Sequence, residues 1–154
     1  MTNQNQELKQ NEIEITVTHS LEHYKNHCEF LGYSIEEDDE DSIICNHSRR
    51  DRLRLIRLSH DVGVLAQVFY VLPDKLASDP LSLFSYANEL NSMFIFMKAC
   101  VRGMEDLRPY IILSSVLEGD YSRKNFAIFL ENLYHDLELF HDYPKTVDLF
   151  RSRD

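Results

Sequence analysis

Apolar residues recur with helical spacing in three segments of this chain and with strand spacing between them. The clearest pattern predicts a helix from residue 120 to 140, where apolar side chains return every three or four positions over about five turns. A second helix is predicted at residues 81–91, since Asp79-Pro80 is a typical helix start and Asn91 suits a left-handed C-terminal cap. A first helix is predicted to end at Gly32, with these residues on its buried side: Leu21, Tyr24, Cys28 and Leu31.

Segments of strand composition lie between these helices. Four of them precede the second helix, at residues 33–36, 43–47, 53–58 and 64–72. Both alternating sets of the last are largely apolar, which predicts a central strand covered at least partly on each face. If helices cover only one face, we expect a partner, a second copy of the chain or residues 13–17 to bury the other. Two further strands are predicted at residues 93–101 and 110–117. Residues 13–17 alternate as a short edge strand would, and Pro144 is expected to end the last helix, with one short turn after it.

The order of these elements defines a fold class. It reads as a helix, three or four strands, a helix, two strands and a helix. Short, hairpin-like links between strands favour antiparallel pairing. We therefore expect an α+β fold of two layers, in which an antiparallel sheet packs against helices. Residues 1–11 are polar and are predicted to be a flexible tail, and residues 12–150 are expected to form a single domain.

This order, together with the predicted helix and the strand that follows it, resembles the YbjN-like family. The similarity is strongest where Ala87-Asn88-Glu89-Leu90-Asn91 leads into residues 94–101, and it covers roughly residues 21–143. Members of that family resemble type III secretion chaperones in fold. The resemblance implies a chaperone-like, protein-binding or regulatory role, and it supplies no catalytic residues.

Charge and composition narrow the possible partners. Among 154 residues, 16 are Lys or Arg and 26 are Asp or Glu, so the net charge is −10, which disfavours general binding to nucleic acids. We find neither a secretory signal nor an apolar run long enough to cross a membrane, and we expect a cytoplasmic protein. The three cysteines show no paired spacing and are expected to be reduced and mostly buried.

Two charged segments follow each other. Residues 36–41 are all acidic and predict a solvated hairpin tip. Five arginines then fall within nine positions, and Arg52 and Arg54 alternate with leucines, so their side chains are expected on one face of a strand. Two interpretations stay open for these arginines. They form a contact surface for an acidic partner or an anion, or they are neutralised by the acidic hairpin beside them.

The sharpest match to a catalytic motif is H-x-x-E-H at residues 19–23. A zinc protease would need His19 and His23 on one helical face, with Glu22 as the base and a third ligand elsewhere. His27 extends the series by one more turn. The motif lies at the frayed start of the helix, and the histidines are expected on its solvated flank, away from the buried side. We therefore predict neither a catalytic site nor a metal site here.

The sequence thus favours a non-catalytic protein-binding module, chaperone-like or regulatory, that acts as a homodimer and binds a protein partner without a cofactor. The alternative is a sensor of a small molecule or anion, with a pocket between sheet and helices and the arginines at its mouth. Most aromatic residues fall on core positions, but Phe30 and Tyr134 do not. The predicted interaction surface combines both groups: Arg50, Arg52, Arg54, Arg57, Phe30 and Tyr134.

Overall fold

The computed structural model describes residues 20–59 and 62–151, so the predicted tail and the predicted strand at residues 13–17 lie outside the described residues. The described part contains four α-helices, six strands and one 3₁₀ helix. In chain order these are α1 Glu22–Phe30, β1 Ser34–Asp39, β2 Ser42–Asn46, β3 Leu53–Arg57, β4 Gly63–Val71, the 3₁₀ helix Asp74–Ser78, α2 Pro80–Met93, β5 Lys98–Arg102, β6 Tyr110–Glu118, α3 Arg123–Asp142 and α4 Pro144–Arg151.

The strands form one antiparallel sheet in the order β1-β2-β3-β4-β6-β5. The predicted α+β class is therefore confirmed. Strand β4 is central, as its apolar composition predicts, and it pairs with β6 along its whole length from Gly63 to Val71. The segment after Pro144 is longer than the single turn that we predicted, because α4 extends over eight residues and packs its Thr146 in the interior.

The helices lie against one face of this sheet, and the core fills the space between the two layers. On β4 the residues Val64, Ala66 and Val68 point to the helices and are at most 2% exposed. Their main cover is α3, whose apolar side follows the predicted spacing. Each fully buried Leu or Phe side chain contributes roughly 1.5–3 kcal/mol to the stability of the folded state. The buried apolar residues of α3 are Phe126, Phe129, Leu130, Leu133, Leu137 and Phe140.

Local signals in the sequence set several helix ends. Asp79 caps α2, because its carboxylate accepts a hydrogen bond from the backbone N–H of Ser82 at 3.2 Å, and Pro80 is the first helical residue. Ser122 caps α3 in the same way. Gly32 ends α1 with a φ of +90°, a conformation that glycine adopts without strain. Among the described residues, no helix combines the length and apolar character that a membrane span requires.

Two predictions at the end of α2 are wrong. Asn91 is not a left-handed cap: it lies inside α2, where its amide donates to the carbonyl of Ala99 at 2.9 Å and accepts from the N–H of Ala99 at 2.7 Å. The strand predicted at residues 93–101 begins only at Lys98. The residues before it do not pair with another strand, because a side chain from α3 takes their N–H groups.

That side chain is Asp136, which is fully buried. One of its carboxylate oxygens accepts hydrogen bonds from three consecutive backbone N–H groups, those of Ile95 at 3.1 Å and of Phe96 and Met97 at 2.7 Å each. Three donors aimed at one oxygen satisfy a buried charge that would otherwise be costly. Asp136 therefore fixes the connection between α2 and β5, and it leaves the side chains of Ile95 and Phe96 exposed.

Candidate protein-binding surface

The helices leave one face of the sheet uncovered, and we call it the open face. On β4 it carries Leu65, Gln67, Phe69 and Val71, which alternate with the buried residues of the same strand. Phe69 is 43% exposed and Val71 is 60% exposed. The prediction that both faces of this strand are covered therefore holds for one face only within the described part of the chain. The open face continues onto the paired residues of β6: Tyr110, Ile112, Ser114 and Val116.

A concavity forms at one end of the open face. The loop between β5 and β6 rises beside the sheet and encloses about 760 Å³ together with Phe69, Val71 and Tyr110. Gly103 makes this loop possible, because its φ is +74° and a Cβ there would lie 2.2 Å from the carbonyl oxygen of Arg108. The concavity therefore has an apolar floor and a polar wall that includes both Asp106 and Arg108.

Basic side chains lie on the β5 side of the open face. Lys98 pairs with Ser114 and Arg102 pairs with Tyr110 across β5 and β6, so both point to the same side as Phe69. Both are exposed, and the structure gives neither of them an ion-pair partner among residues 20–59 and 62–151. This edge of the open face is therefore positive in a chain whose net charge is −10.

The arginines of β3 are paired with the acidic hairpin of the same chain. Arg54 lies 2.6 Å from a carboxylate oxygen of Asp38 and also donates to the hydroxyl of Ser42 at 3.2 Å. Arg52 lies 3.5 Å from Glu36, and Arg57 pairs with Asp41 in the same manner. The geometry thus favours the neutralised interpretation of these side chains. A role for them in binding a partner stays a prediction.

The other predicted surface residues do not come together. Arg50 donates to the hydroxyl of Tyr134 at 3.0 Å, and its guanidinium stacks 4.4 Å from the centre of that ring. Tyr134 also shares a hydrogen bond of 2.7 Å with Tyr33, whose pKa is raised mainly by burial. Phe30 is 75% exposed and instead lies 5.3 Å from the guanidinium of Arg123. Eleven residues of α3 separate Arg123 from Tyr134, a rise of roughly 16 Å.

The prediction of a solvated histidine flank is wrong for His27. This side chain is only 8% exposed, and its Nδ1 lies 3.0 Å from the hydroxyl of Tyr121. Burial, assisted by the charge of Arg123, lowers the pKa of His27. His23 is exposed but stacks on the ring of Tyr121 at 5.1 Å. No local pattern indicates the contacts of these histidines with Tyr121, because Tyr121 is almost a hundred positions away.

His19 lies outside the described residues, so the geometry of the H-x-x-E-H motif as a whole is not defined. Within the described ranges, no group of three His, Cys, Asp or Glu side chains is placed to hold a metal ion.

A second cavity, of about 470 Å³, lies between the 3₁₀ helix, α2 and α4. Its lining combines apolar side chains, among them Leu76 and Leu83, with the charged groups of Lys75, Lys145 and Asp148. Lys145 is held by Glu89 at 2.5 and 2.6 Å. The cavity differs from the predicted pocket, because helices rather than the sheet form it and none of the β3 arginines lines it.

One titratable junction ties the loop before β3 to the end of α3. Asp51 accepts from the hydroxyl of Tyr70 at 2.5 Å, and His141 lies 3.0 Å from the same carboxylate. These partners lower the pKa of Asp51 although burial opposes the shift, and Asp51 in turn raises the pKa of His141. The junction supports the edge of the sheet next to Arg52 and does not face the open face.

The fold and this surface define a class: a small α+β protein with a one-sided antiparallel sheet, of the YbjN-like fold. No family model matches the chain, and no curated protein matches it. Among solved structures, the chain is similar to the crystal structure of YbjN, a candidate transcription regulator from E. coli. The TM-score is 0.62 at 14% sequence identity, over 78% of this chain and 87% of that chain. The predicted resemblance is thereby confirmed for the fold.

Proposed function

We propose that the protein is a non-catalytic binding module, chaperone-like or regulatory, that holds a partner protein against its open face. One observation carries the proposal: Phe69, Val71 and Val116 are between 43% and 60% exposed near the middle of an extended sheet. The polar pair Gln67 and Ser114 separates Val116 from the neighbouring Phe69 and Val71. Exposed apolar side chains on an uncovered sheet face are typical of protein interfaces. The proposal includes self-association as a homodimer and a cytoplasmic location.

The basic edge supports a partner of a particular chemistry. Lys98 and Arg102 are exposed on β5 at this edge, whereas the concavity beside them is lined by one acidic and one basic residue, Asp106 and Arg108. A partner segment that places an apolar side chain near acidic ones would satisfy both features at once, because guanidinium groups bind carboxylates at the rim of a desolvated contact. We therefore expect the partner to present an apolar segment with neighbouring Asp or Glu residues.

The concavity supplies the place for the central contact of such an interface. Large side chains that fill a pocket at the centre of an interface contribute most of the binding energy. Phe69, Val71 and Tyr110 form an apolar floor wide enough for an aromatic or branched aliphatic side chain. We expect one such side chain of the partner to enter here.

Capture experiments with matched variants test the proposal. Wild-type protein, Phe69→Glu and Ile128→Glu would each be immobilised and exposed to extract from the native cells. Ile128 is the control because it is 50% exposed, lies on α3 away from the open face, and receives the same added charge. We expect one protein to bind the wild type and the control, and its affinity for Phe69→Glu to fall at least about tenfold, which corresponds to 1.4 kcal/mol.

Thermal unfolding of the three proteins shows whether they are equally folded, since substitutions of exposed residues generally change stability by less than about 0.5 kcal/mol. If the captured protein binds Phe69→Glu as well as it binds the wild type, the open face is not the contact surface and the proposal fails.

The helical cavity supports a second candidate, a sensor of a small molecule or anion. Lys75 and Lys145 with Ser82 and Ser85 give it donors beside apolar side chains. Thermal shift with phosphate, organic acids and nucleotides tests this function. A ligand at a hundred times its dissociation constant stabilises the folded state by about 2.7 kcal/mol. We expect such a shift to be lost in Lys75→Ala, and an unchanged midpoint with every compound would exclude the sensor.

A further inference from the structure

We infer that, while no partner is bound, a second copy of this chain covers the open face, with β5 of each copy lying over β1 of the other. The inference rests on the proposed function, because it names what competes with the partner for the same surface. It assigns the expected homodimer to a defined interface and a defined orientation.

The size of the open face fits a reversible dimer. Six strands spaced about 4.8 Å apart are roughly 24 Å wide, and their lengths of five to nine residues correspond to about 17–30 Å. Two such faces bury an area near the lower end of the roughly 1,200–2,000 Å² found in specific complexes. An interface of that size between preformed sheets costs little ordering entropy, and we expect micromolar association.

Charge selects the orientation of the two copies. Two sheets that face each other around a twofold axis can have this axis along the strands, which puts β5 over β1, or across them, which puts β5 over β5. On β5, Lys98 and Arg102 point to the open face. On β1, Glu36 points to the same face and its side chain is 62% exposed. The axis along the strands therefore brings opposite charges together, whereas the other axis brings like charges together.

The same orientation matches apolar residues in the middle of the interface. It places β4 of one copy over β3 of the other, and β6 over β2. At equal height along the strands, Leu65 would then pack against Ile56 of the other copy, and Ser114 would lie over its Ile44. Leu65 and both isoleucines are only partly buried in the structure. The apolar residues of both copies lose contact with water in this arrangement, and aligned sheets of this kind are a standard packing.

Sedimentation velocity between about 1 and 200 µM tests whether the open face is the interface. We expect the wild type and Ile128→Glu to form a dimer, and Leu65→Glu, which puts a charge against Ile56 of the other copy, to raise the dissociation constant at least about tenfold. A wild type that stays monomeric at the highest concentration overturns the inference. So does a Leu65→Glu variant that associates as strongly as the control.

A charge exchange tests the orientation. Lys98→Glu puts acidic groups against acidic groups in its own dimer, and Glu36→Lys puts basic against basic. A mixture of the two variants restores opposite charges at both ends of the interface, so we expect each variant alone to associate several-fold more weakly than the equimolar mixture. If the mixture associates no more strongly than either variant alone, the β5-over-β1 orientation is ruled out.

Cys100 provides a readout that needs no substitution. It is half-buried on β5 directly opposite Ile112, whereas Cys28 and Cys45 are buried in the core. We expect the rate at which an aromatic disulfide reagent modifies Cys100 to fall as the protein concentration passes the dissociation constant, and to stay constant in Leu65→Glu. Failure here is distinguishable from failure of the proposed function. A monomer that still loses its partner through Phe69→Glu refutes the dimer and leaves the binding module in place.

Discussion

Replacing Asp136 removes the carboxylate that holds the connection between α2 and β5. The three backbone N–H groups that it accepts from differ in their access to water once the carboxylate is gone. The N–H groups of Ile95 and Phe96 belong to exposed residues and can turn to water, but Met97 is only 4% exposed and its N–H would stay unsatisfied. Hydrogen bonds to a charged group contribute roughly 1.5–3 kcal/mol each, and a buried orphan donor costs about 1–3 kcal/mol. We therefore expect Asp136→Ala to lower the free energy of unfolding by about 3–5 kcal/mol.

The amide variant separates charge from geometry. In Asp136→Asn the side-chain oxygen can keep the position that accepts from Ile95, Phe96 and Met97. The new amino group then lies where the second carboxylate oxygen accepts from Ile95 at 3.2 Å and contacts the ring nitrogen of His135 at 3.1 Å. This variant retains an acceptor for all three donors but loses the charge, and we expect it to cost about 1–2 kcal/mol.

Urea unfolding followed by circular dichroism measures both costs. Glu138→Ala is the matched control, because it removes an exposed carboxylate from the same helix and should change the free energy of unfolding by less than about 0.5 kcal/mol. Single domains have a free energy of unfolding of about 5–15 kcal/mol. The alanine variant should therefore remain folded but unfold at a clearly lower urea concentration. An Asp136→Ala protein as stable as the control would refute the reasoning, as would an asparagine variant less stable than the alanine variant.

Other predictions concern the backbone and one titratable junction. Gly63 and Gly119 both have positive φ, but a Cβ at Gly63 would lie 2.1 Å from the carbonyl oxygen of Leu117 and one at Gly119 meets nothing. By urea unfolding we expect Gly119→Ala to cost about 1–2 kcal/mol and Gly63→Ala clearly more; equal costs would contradict the clash. The pKa of His141 is raised above 6.5, so its stabilisation is present below that pH and is lost as pH rises through the raised value. His141→Gln should therefore lower the urea midpoint more near pH 5.5 than near pH 8.5, and the opposite order would exclude the contact with Asp51.

The sequence predicted those elements whose signals are local. The apolar spacing of α3 defines one side of a helix, and Asp79-Pro80 places the start of α2, because both depend on residues a few positions apart. Gly32 ends α1, and this signal too depends only on the residue itself and its close neighbours in sequence. The alternating apolar residues of β4 likewise predicted its central place in the sheet.

Predictions failed where a distant side chain decides the local structure. The strand predicted at residues 93–101 is shortened by Asp136, about forty positions away, and Asn91 pairs with Ala99 instead of ending its helix. His27 is buried because Tyr121 reaches it from the loop after β6. No pattern within the first helix can report such a contact.

The candidate surface was predicted only in part. The arginines of β3 are visible as an alternating pattern, but their pairing with the acidic hairpin depends on register between strands. The open face was foreseen only as one of two cases, because two apolar sets on β4 look the same in sequence whether one or both are covered. Period-two alternation gives the side of each residue but not what lies against that side.

Site-specific photo-cross-linking in the native cells shows whether the open face contacts another polypeptide. A photoreactive amino acid would replace Val71 on the open face in one protein and Ile128 on α3 in another, both sites being at least half exposed. We expect position 71 to form a discrete adduct with another polypeptide, whether the partner protein or a second copy, and position 128 to form none. Irradiation that leaves position 71 without an adduct, or gives both positions the same adducts, would contradict this expectation.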